Sequence, residues 1–191
     1  MKISFIQSGL DPAGIEYSYE IIRKRMEAWK KLDRRIVVTI GSWDMLHIGH
    51  VRYIMQASKY GDILIVGVDS DSAVRSYKGP ARPIVPQSER IEMISYIWCV
   101  DLVTLITDVD DKGNWQYGLL KAVRPDVFIA VEDSYPDSQR REIRKYVGNL
   151  IVLPRQAENT SSTDIVQRII KKELIVEVDQ AKENEGQHVR K

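Results

Sequence analysis

The chain has 191 residues, with 28 lysines and arginines against 27 aspartates and glutamates and a formal net charge of +1. That length is enough for one domain with a sizeable core. The charge balance excludes bulk electrostatic attraction to nucleic acid or to an anionic membrane. The one cysteine, Cys99, lies in the apolar run Ile97-Trp98-Cys99-Val100. An internal disulfide and a cysteine zinc site are therefore excluded, and Cys99 reads as a small core residue. The apolar stretches are only strand-sized and no signal-peptide pattern is present, so a cytoplasmic protein without a membrane partner is expected.

Residues 1–17 are mixed, with Gly9, Pro12 and Gly14, and read as a loose arm or a short strand with a turn. From Ser18 to Leu32 the spacing of Tyr19, Ile22, Met26 and Trp29 predicts an amphipathic helix, packed on the domain or on a second subunit. Its basic residues (Arg23, Lys24, Lys30, Lys31), with Arg34 and Arg35 just beyond, read as a solvated face. The β-branched run Arg35–Ile40 predicts a strand, Gly41–His50 a tight turn and helix start, and Val51–Tyr60 a helix.

After the break at Gly61-Asp62 come a strand at Ile63–Val68 and a short helix to Tyr77 with capping residues at Asp69-Ser70-Asp71-Ser72. Lys78-Gly79-Pro80-Ala81-Arg82-Pro83 must be a loop. Gln87–Trp98 predicts a helix with Ile91, Ile94, Ile97 and Trp98 on one face. Leu102–Ile106 is a third strand, Asp108–Asn114 a polar loop, and Trp115–Val123 a helix ended by Arg124-Pro125. A strand at Val127–Val131, a charged helix at Pro136–Tyr146 and a strand at Leu150–Leu153 follow. The last helix spans Ser161–Ile175, with Ile165, Ile169 and Ile170 facing inward, and from Glu177 a disordered tail is expected.

Near-continuous aliphatic strands alternating with helices mean a parallel sheet covered on both faces. The expected fold is α/β, a doubly wound parallel sheet of five strands. The division expected is an arm and amphipathic helix at 1–34, one domain at 35–176, and the tail at 177–191.

No phosphate-cradling Gly-Lys-Ser/Thr loop, Gly-x-Gly-x-x-Gly turn or nucleophile-elbow serine occurs. Instead, the first strand runs into Gly41-Ser42-Trp43-Asp44-Met45-Leu46-His47-Ile48-Gly49-His50. In an open α/β sheet, ligands bind at such a strand end. His47 and His50 share one face of a helix start, and Gly49 leaves the backbone open to approach. Helix N-terminal N–H groups favour an anion, and two imidazoles beside them can donate to a phosphate and stabilise charge building on it. Zinc is a weaker reading, because two histidines are too few ligands and His188 lies in the tail. Histidines merely filling a turn are the structural alternative.

His-Ile-Gly-His after Gly-x-x-Asp resembles the signature of the nucleotidylyltransferase superfamily, and within it the cytidylyltransferase-like group, over about Arg35 to Lys172. That group includes glycerol-3-phosphate and ethanolamine-phosphate cytidylyltransferases and the heptose-1-phosphate adenylyltransferase domain. Three further segments carry the resemblance in order: Val68-Asp69-Ser70-Asp71, then Lys78-Gly79…Arg82-Pro83 leading to Ser88-Glu89-Arg90, then Pro154-Arg155 with Thr160-Ser161-Ser162-Thr163. The lysine loop is most similar to that of the heptose-phosphate adenylyltransferases.

The resemblance implies a Rossmann-like fold and catalytic roles for His47, His50, Lys78 and Arg90. It implies nucleotide contacts from Gly41, Ser42, Trp43, Asp44, Gly49, Arg155, Ser161, Ser162 and Thr163. Lys78 on a Gly/Pro loop would close over a triphosphate, and Arg90, Ser162 and Thr163 would hold its β- and γ-phosphates. The bland reading of the Ser/Thr segment is an ordinary N-cap. The sequence departs from the family at Ala130-Val131-Glu132-Asp133-Ser134-Tyr135, where a Gly-Gly-Asp is usual; Asp71, Glu132 and Asp133 are the acceptor candidates.

The expected reaction transfers a nucleoside monophosphate, AMP by preference, from a triphosphate to a phosphorylated sugar or small alcohol, releasing pyrophosphate. Mg²⁺ is expected with the triphosphate, with no ligand set from protein side chains, and a homodimer is implied. Alternatives are CTP with a phospho-alcohol and a nucleotide-binding protein without catalysis. A tRNA-synthetase-like enzyme is disfavoured by the short chain and the lack of a Lys-Met-Ser-Lys-Ser-like loop.

Overall fold

Three aliphatic runs make the centre of the sheet: β2 (Ile36–Gly41), β3 (Ile63–Asp69) and β5 (Val127–Val131). Their side chains are buried on both faces, which is why they read as continuous apolar runs rather than alternating ones. The computed structural model describes residues 13–110, 114–158 and 160–174. It forms two compact units, Met1–Gln156 and Ala157–Lys191.

The first unit holds a six-stranded parallel sheet ordered β1-β4-β3-β2-β5-β6, with β1 at Gly14–Ile15, β4 at Leu102–Ile106 and β6 at Asn149–Leu153. The architecture is the doubly wound one expected, with one strand more than five. The extra strand β1 has two residues, Gly14 pairing with Leu102 and Ile15 with Val103. Two residues cannot display a period, and glycine is a poor strand former, so the sequence shows it only as part of the arm. Residues 1–12 and the segment from Glu177 onward lie outside the described residues.

Helices α2 (Ile48–Ser58), α3 (Asp71–Lys78) and α4 (Gln87–Ser95) connect β2 to β3 and β3 to β4. Ile54 and Ala57 of α2 and Ile91 and Ile94 of α4 pack with Val37, Leu64, Val66 and Val68 in one core layer. In the other layer, Ile22 and Met26 of α1 (Tyr19–Lys31), Leu119, Leu120 and Val123 of α5 (Gly118–Val123) and Ile143 of α6 (Asp137–Ile143) meet Ile36, Val38, Ile65 and Phe128. Parallel pairing carries Ile36–Gly41 against Ile63–Val68 in register. The strand order therefore reverses at β2, between β3 on one side and β5 on the other.

Helix α1 begins at its predicted cap, Ser18, whose side chain accepts from Ile21 N. Its apolar stripe is buried in this chain's own core, so that stripe is not a subunit contact. Its basic face is exposed and laced by Arg23–Glu27 and Lys24–Glu20 pairs.

Other element ends differ from expectation. Helix α4 stops at Ser95, and Trp98 is 71% exposed rather than on the buried face. Helix α5 starts at Gly118 instead of Trp115, because Trp115 pairs with Val109 in an isolated antiparallel bridge and Tyr117 takes a left-handed conformation. Cys99 is only partly buried against the α2–α4 layer.

The second unit carries helix α7 over residues 162–174. Ser161 accepts from Asp164 N at 3.1 Å and donates to its carboxylate at 2.6 Å, which makes it the cap of this helix. Ile169 and Ile170 are half exposed rather than inward-facing. No helix among the described residues is long and apolar enough to cross a membrane.

Candidate active site

The turn after β2 is built on two non-glycine residues in the left-handed region, Trp43 (φ 51) and Met45 (φ 50). Such conformations cost of order 1–3 kcal/mol each and persist only where surroundings enforce them. The enforcement at Trp43 is visible: its indole is buried and donates to Gly67 O at 2.8 Å. Gly41 leaves room for that ring, since a Cβ at this position would sit 3.2 Å from it, a tight contact.

His47 is the N-cap of α2, and its Nδ1 accepts from Gly49 N at 3.1 Å. An accepting Nδ1 carries no proton, so the neutral ring bears its proton on Nε2. Gly49 is buried and supplies that N–H. His50 stacks on His47 with ring centroids 3.9 Å apart and meets the Trp43 indole edge-on at 5.6 Å. Burial first, then the neighbouring His47 and Lys78, pushes the His50 pKa down from 6.5 to about 3, with Asp44 pulling weakly the other way. His50 is thus a neutral imidazole at pH 7. Its Nδ1 is buried without a hydrogen-bond partner, which leaves Nε2 as the useful nitrogen.

Lys78 ends α3 and places its ammonium 2.9 Å from Ser42 Oγ, on the same turn. The loop that follows is tied down by Asp44. Fully buried, Asp44 accepts from Ile84 N at 3.0 Å, Val85 N at 3.0 Å and the Arg82 guanidinium at 2.9 Å. Burial works to raise its pKa, but those N–H donors and Arg82 outweigh it and hold the carboxyl below its usual value. Asp44 is therefore a clamp between the histidine turn and the lysine loop.

Arg90 is fully buried, and its nitrogens go to Val85 O at 2.9 Å, Asp71 Oδ1 at 2.7 Å and Ser42 O. It joins the turn, the loop and the start of α3 from below. Asp71 is accordingly ion-paired inside the protein. Asp133, at the end of β5, pairs with Arg155 beyond β6, and Glu132 accepts from Arg155 N at 3.2 Å. Ser161, Ser162 and Thr163 belong to the second unit. The sheet edge thus brings together Gly41–His50, Lys78 and Arg90 directly.

Sequence reading missed three partners. Arg82 locks Asp44, Tyr77 donates to Asp69 at 2.7 Å one residue before Lys78, and Tyr135 donates to Ile40 O at 3.3 Å. Only Arg82 gave a signal, as part of the Arg-Pro pair. Among the described residues no group of three or more potential ligands could hold a metal; both carboxylate oxygens of Asp44 and Oδ1 of Asp71 are engaged as above.

A reversed strand order, with a helix opening on paired imidazoles at the reversal, defines a nucleotide-handling α/β protein. Residues 38–168 match the cytidylyltransferase-like family model. The chain belongs to that family. It is 36% identical over 149 residues to the bifunctional protein HldE of Desulfatibacillum aliphaticivorans, covering 78% of this chain and 29% of that protein. Against HldE of Geobacter sulfurreducens it is 32% identical over 153 residues, covering 80% and 30%. The chain thus spans about 30% of the length of these relatives.

Among solved structures, a lipopolysaccharide core biosynthesis protein from Thermoplasma volcanium is 26% identical with a TM-score of 0.54, covering 64% of this chain and 98% of that one. Pantoate-beta-alanine ligase from Francisella tularensis, at 16% identity and TM-score 0.53 over 80% of this chain and 75% of that one, shares the fold.

Proposed function

We propose that this protein transfers AMP from ATP to a phosphorylated sugar, releasing pyrophosphate. The observation that carries the reading is the stacked His47–His50 pair opening α2, with the Lys78 ammonium held across the same turn on Ser42. An acceptor phosphate oxygen attacks the α-phosphorus in line. The new O–P bond forms as the bond to the β-bridging oxygen breaks, and pyrophosphate leaves with the electron pair.

His47 and His50 meet the α-phosphate as neutral donors through Nε2, at the positive end of the α2 dipole. Neutral donors suit this role because two cationic imidazoles 3.9 Å apart would repel. Lys78 supplies a point charge for the β- and γ-phosphates. Arg90 acts through the protein: it fixes the Ser42 carbonyl and the loop rather than presenting a free guanidinium. Ser162 and Thr163 are assigned to phosphate binding from their motif alone. The protein is read as a homodimer, which sedimentation velocity tests.

The choice of ATP and of a sugar phosphate is supported by the Lys78-Gly79…Arg82-Pro83 loop and by the HldE relatives. Pyrophosphate release measured with each of the four ribonucleoside triphosphates and a panel of sugar 1-phosphates and alcohol phosphates tests it. ATP with a sugar phosphate is expected to give the fastest release; release with CTP and glycerol phosphate alone would replace the assignment by a cytidylyl transfer.

A further inference from the structure

Helix α3 is fixed at one end and open at the other. Its buried residues, Ala73 and Val74, lie in the first turn, and Ser70 caps that turn by accepting from Ala73 N at 3.2 Å. Arg75, Ser76, Tyr77 and Lys78 are all exposed, so no apolar burial holds the turn that carries Lys78. A helix of eight residues is too short to be stable by itself, and a last turn without anchors frays. Side-chain hydrogen bonds supply the anchors. Tyr77 donates to Asp69 Oδ2 at 2.7 Å, and Lys78 donates to Ser42 Oγ at 2.9 Å.

We propose that Tyr77 is a positioning residue for Lys78: its hydroxyl, seated on Asp69, holds the last turn of α3 so that the Lys78 ammonium reaches the histidine turn. The proposal rests on the reading of Lys78 as the ligand of the β- and γ-phosphates. The two seats lie side by side. Gly41 faces Val68 in the β2–β3 pairing, so Ser42 and Asp69 are the next residues on neighbouring strand ends. Tyr77 is thus seated on β3 and Lys78 on the turn after β2. The Lys78 ammonium also lies over the Tyr77 ring, 5.8 Å from its centroid, within the range at which a ring face attracts a cation.

The hydrogen bonds run in one direction. Lys78 donates to Ser42, the Ser42 hydroxyl donates to the Tyr77 oxygen, and Tyr77 donates to Asp69. Each hydroxyl accepts from one neighbour and donates to the next, so the bonds polarise and strengthen one another. Although Tyr77 is 56% exposed as a residue, burial of its hydroxyl end, then Asp69, raises its pKa, with Ser42 pulling the other way. The phenol therefore stays a donor at neutral pH. With its hydroxyl engaged on both sides, Tyr77 acts on a triphosphate through Lys78 rather than by touching it. When Lys78 exchanges Ser42 for a phosphate oxygen, the Tyr77–Asp69 bond keeps the turn in place. Without that bond, the turn must be ordered as the triphosphate binds.

A double-mutant cycle tests this. Tyr77→Phe removes the hydroxyl and keeps the ring, at an exposed position where the fold is expected to survive by circular dichroism. ATP dissociation constants are measured by calorimetric titration of the full chain carrying neither, either or both of Tyr77→Phe and Lys78→Met. Tyr77→Phe is expected to weaken ATP binding about fivefold in the otherwise wild-type chain. In the Lys78→Met chain it is expected to add nothing, since the group it positions is gone. Equal weakening in both backgrounds overturns the proposal, as does full affinity of Tyr77→Phe beside a weakened Lys78→Met. Lys78→Met binding ATP as tightly as the wild type refutes the phosphate role of Lys78, and the positioning role falls with it. Non-additive weakening without pyrophosphate release from any acceptor supports the role of Tyr77 while the transfer reading fails.

Discussion

The two histidines differ in what they contribute. His47 has a structural duty, since its Nδ1 caps α2, whereas His50 is held neutral by burial against His47. This has a consequence for stability. The folded pKa of His50, about 3, lies below its ordinary 6.5, so protons bind the unfolded chain more readily. The stability contributed by neutral His50 is complete above pH 6.5 and declines as pH falls from there toward 3. In urea melts, the wild-type midpoint is expected to drop over that interval, and His50→Gln to flatten the drop; equal slopes would show that His50 titrates normally.

Arg90 makes a second case at this scale. Removing a fully buried guanidinium strands Asp71 and two backbone carbonyls, which typically costs about 3–5 kcal/mol. Arg90→Met is therefore expected to lower the denaturation free energy by about that amount without any nucleotide present. Wild-type stability with a raised KM for triphosphate would instead make Arg90 a direct phosphate ligand.

Among the elements, the lysine loop is the one whose placement the proposed transfer depends on. It is anchored at its start by Tyr77 on Asp69 and at its end by Asp44. Asp44→Asn keeps one acceptor oxygen but loses the charge that pairs with Arg82. The expected result is a KM for triphosphate raised about tenfold with kcat little changed, because a loosened loop must be ordered on binding. A fall in kcat at unchanged KM would place Asp44 in the chemical step.

The elements were also unequally legible. Strands β4 and β5 match their predicted ranges, because a continuous aliphatic run between breakers needs no periodicity to be read. The start of α5 was missed because it is decided by the left-handed Tyr117 and by Asp108 on a preceding loop, neither of which is a local propensity. His47, His50 and Lys78 were legible from their motif, and the structure shows how they are placed. The burial of Arg90 was not, since its three acceptors come from separate segments around residues 42, 71 and 85.

Taken as a whole, the first unit puts the histidine turn where the strand order reverses, at the end of β2. Net charge near zero fits a protein that recognises anions locally, through a helix start and one lysine, rather than through a field. The account therefore stands on the imidazoles of that turn. Its most direct test is the rate of pyrophosphate release from ATP, with the best acceptor of the panel, for His47→Asn and His50→Gln. Asparagine preserves the helix cap at position 47, so the backbone is expected to stay intact by circular dichroism. The account predicts that each change slows release by about 10²-fold or more. Release at the wild-type rate from either folded variant would contradict it.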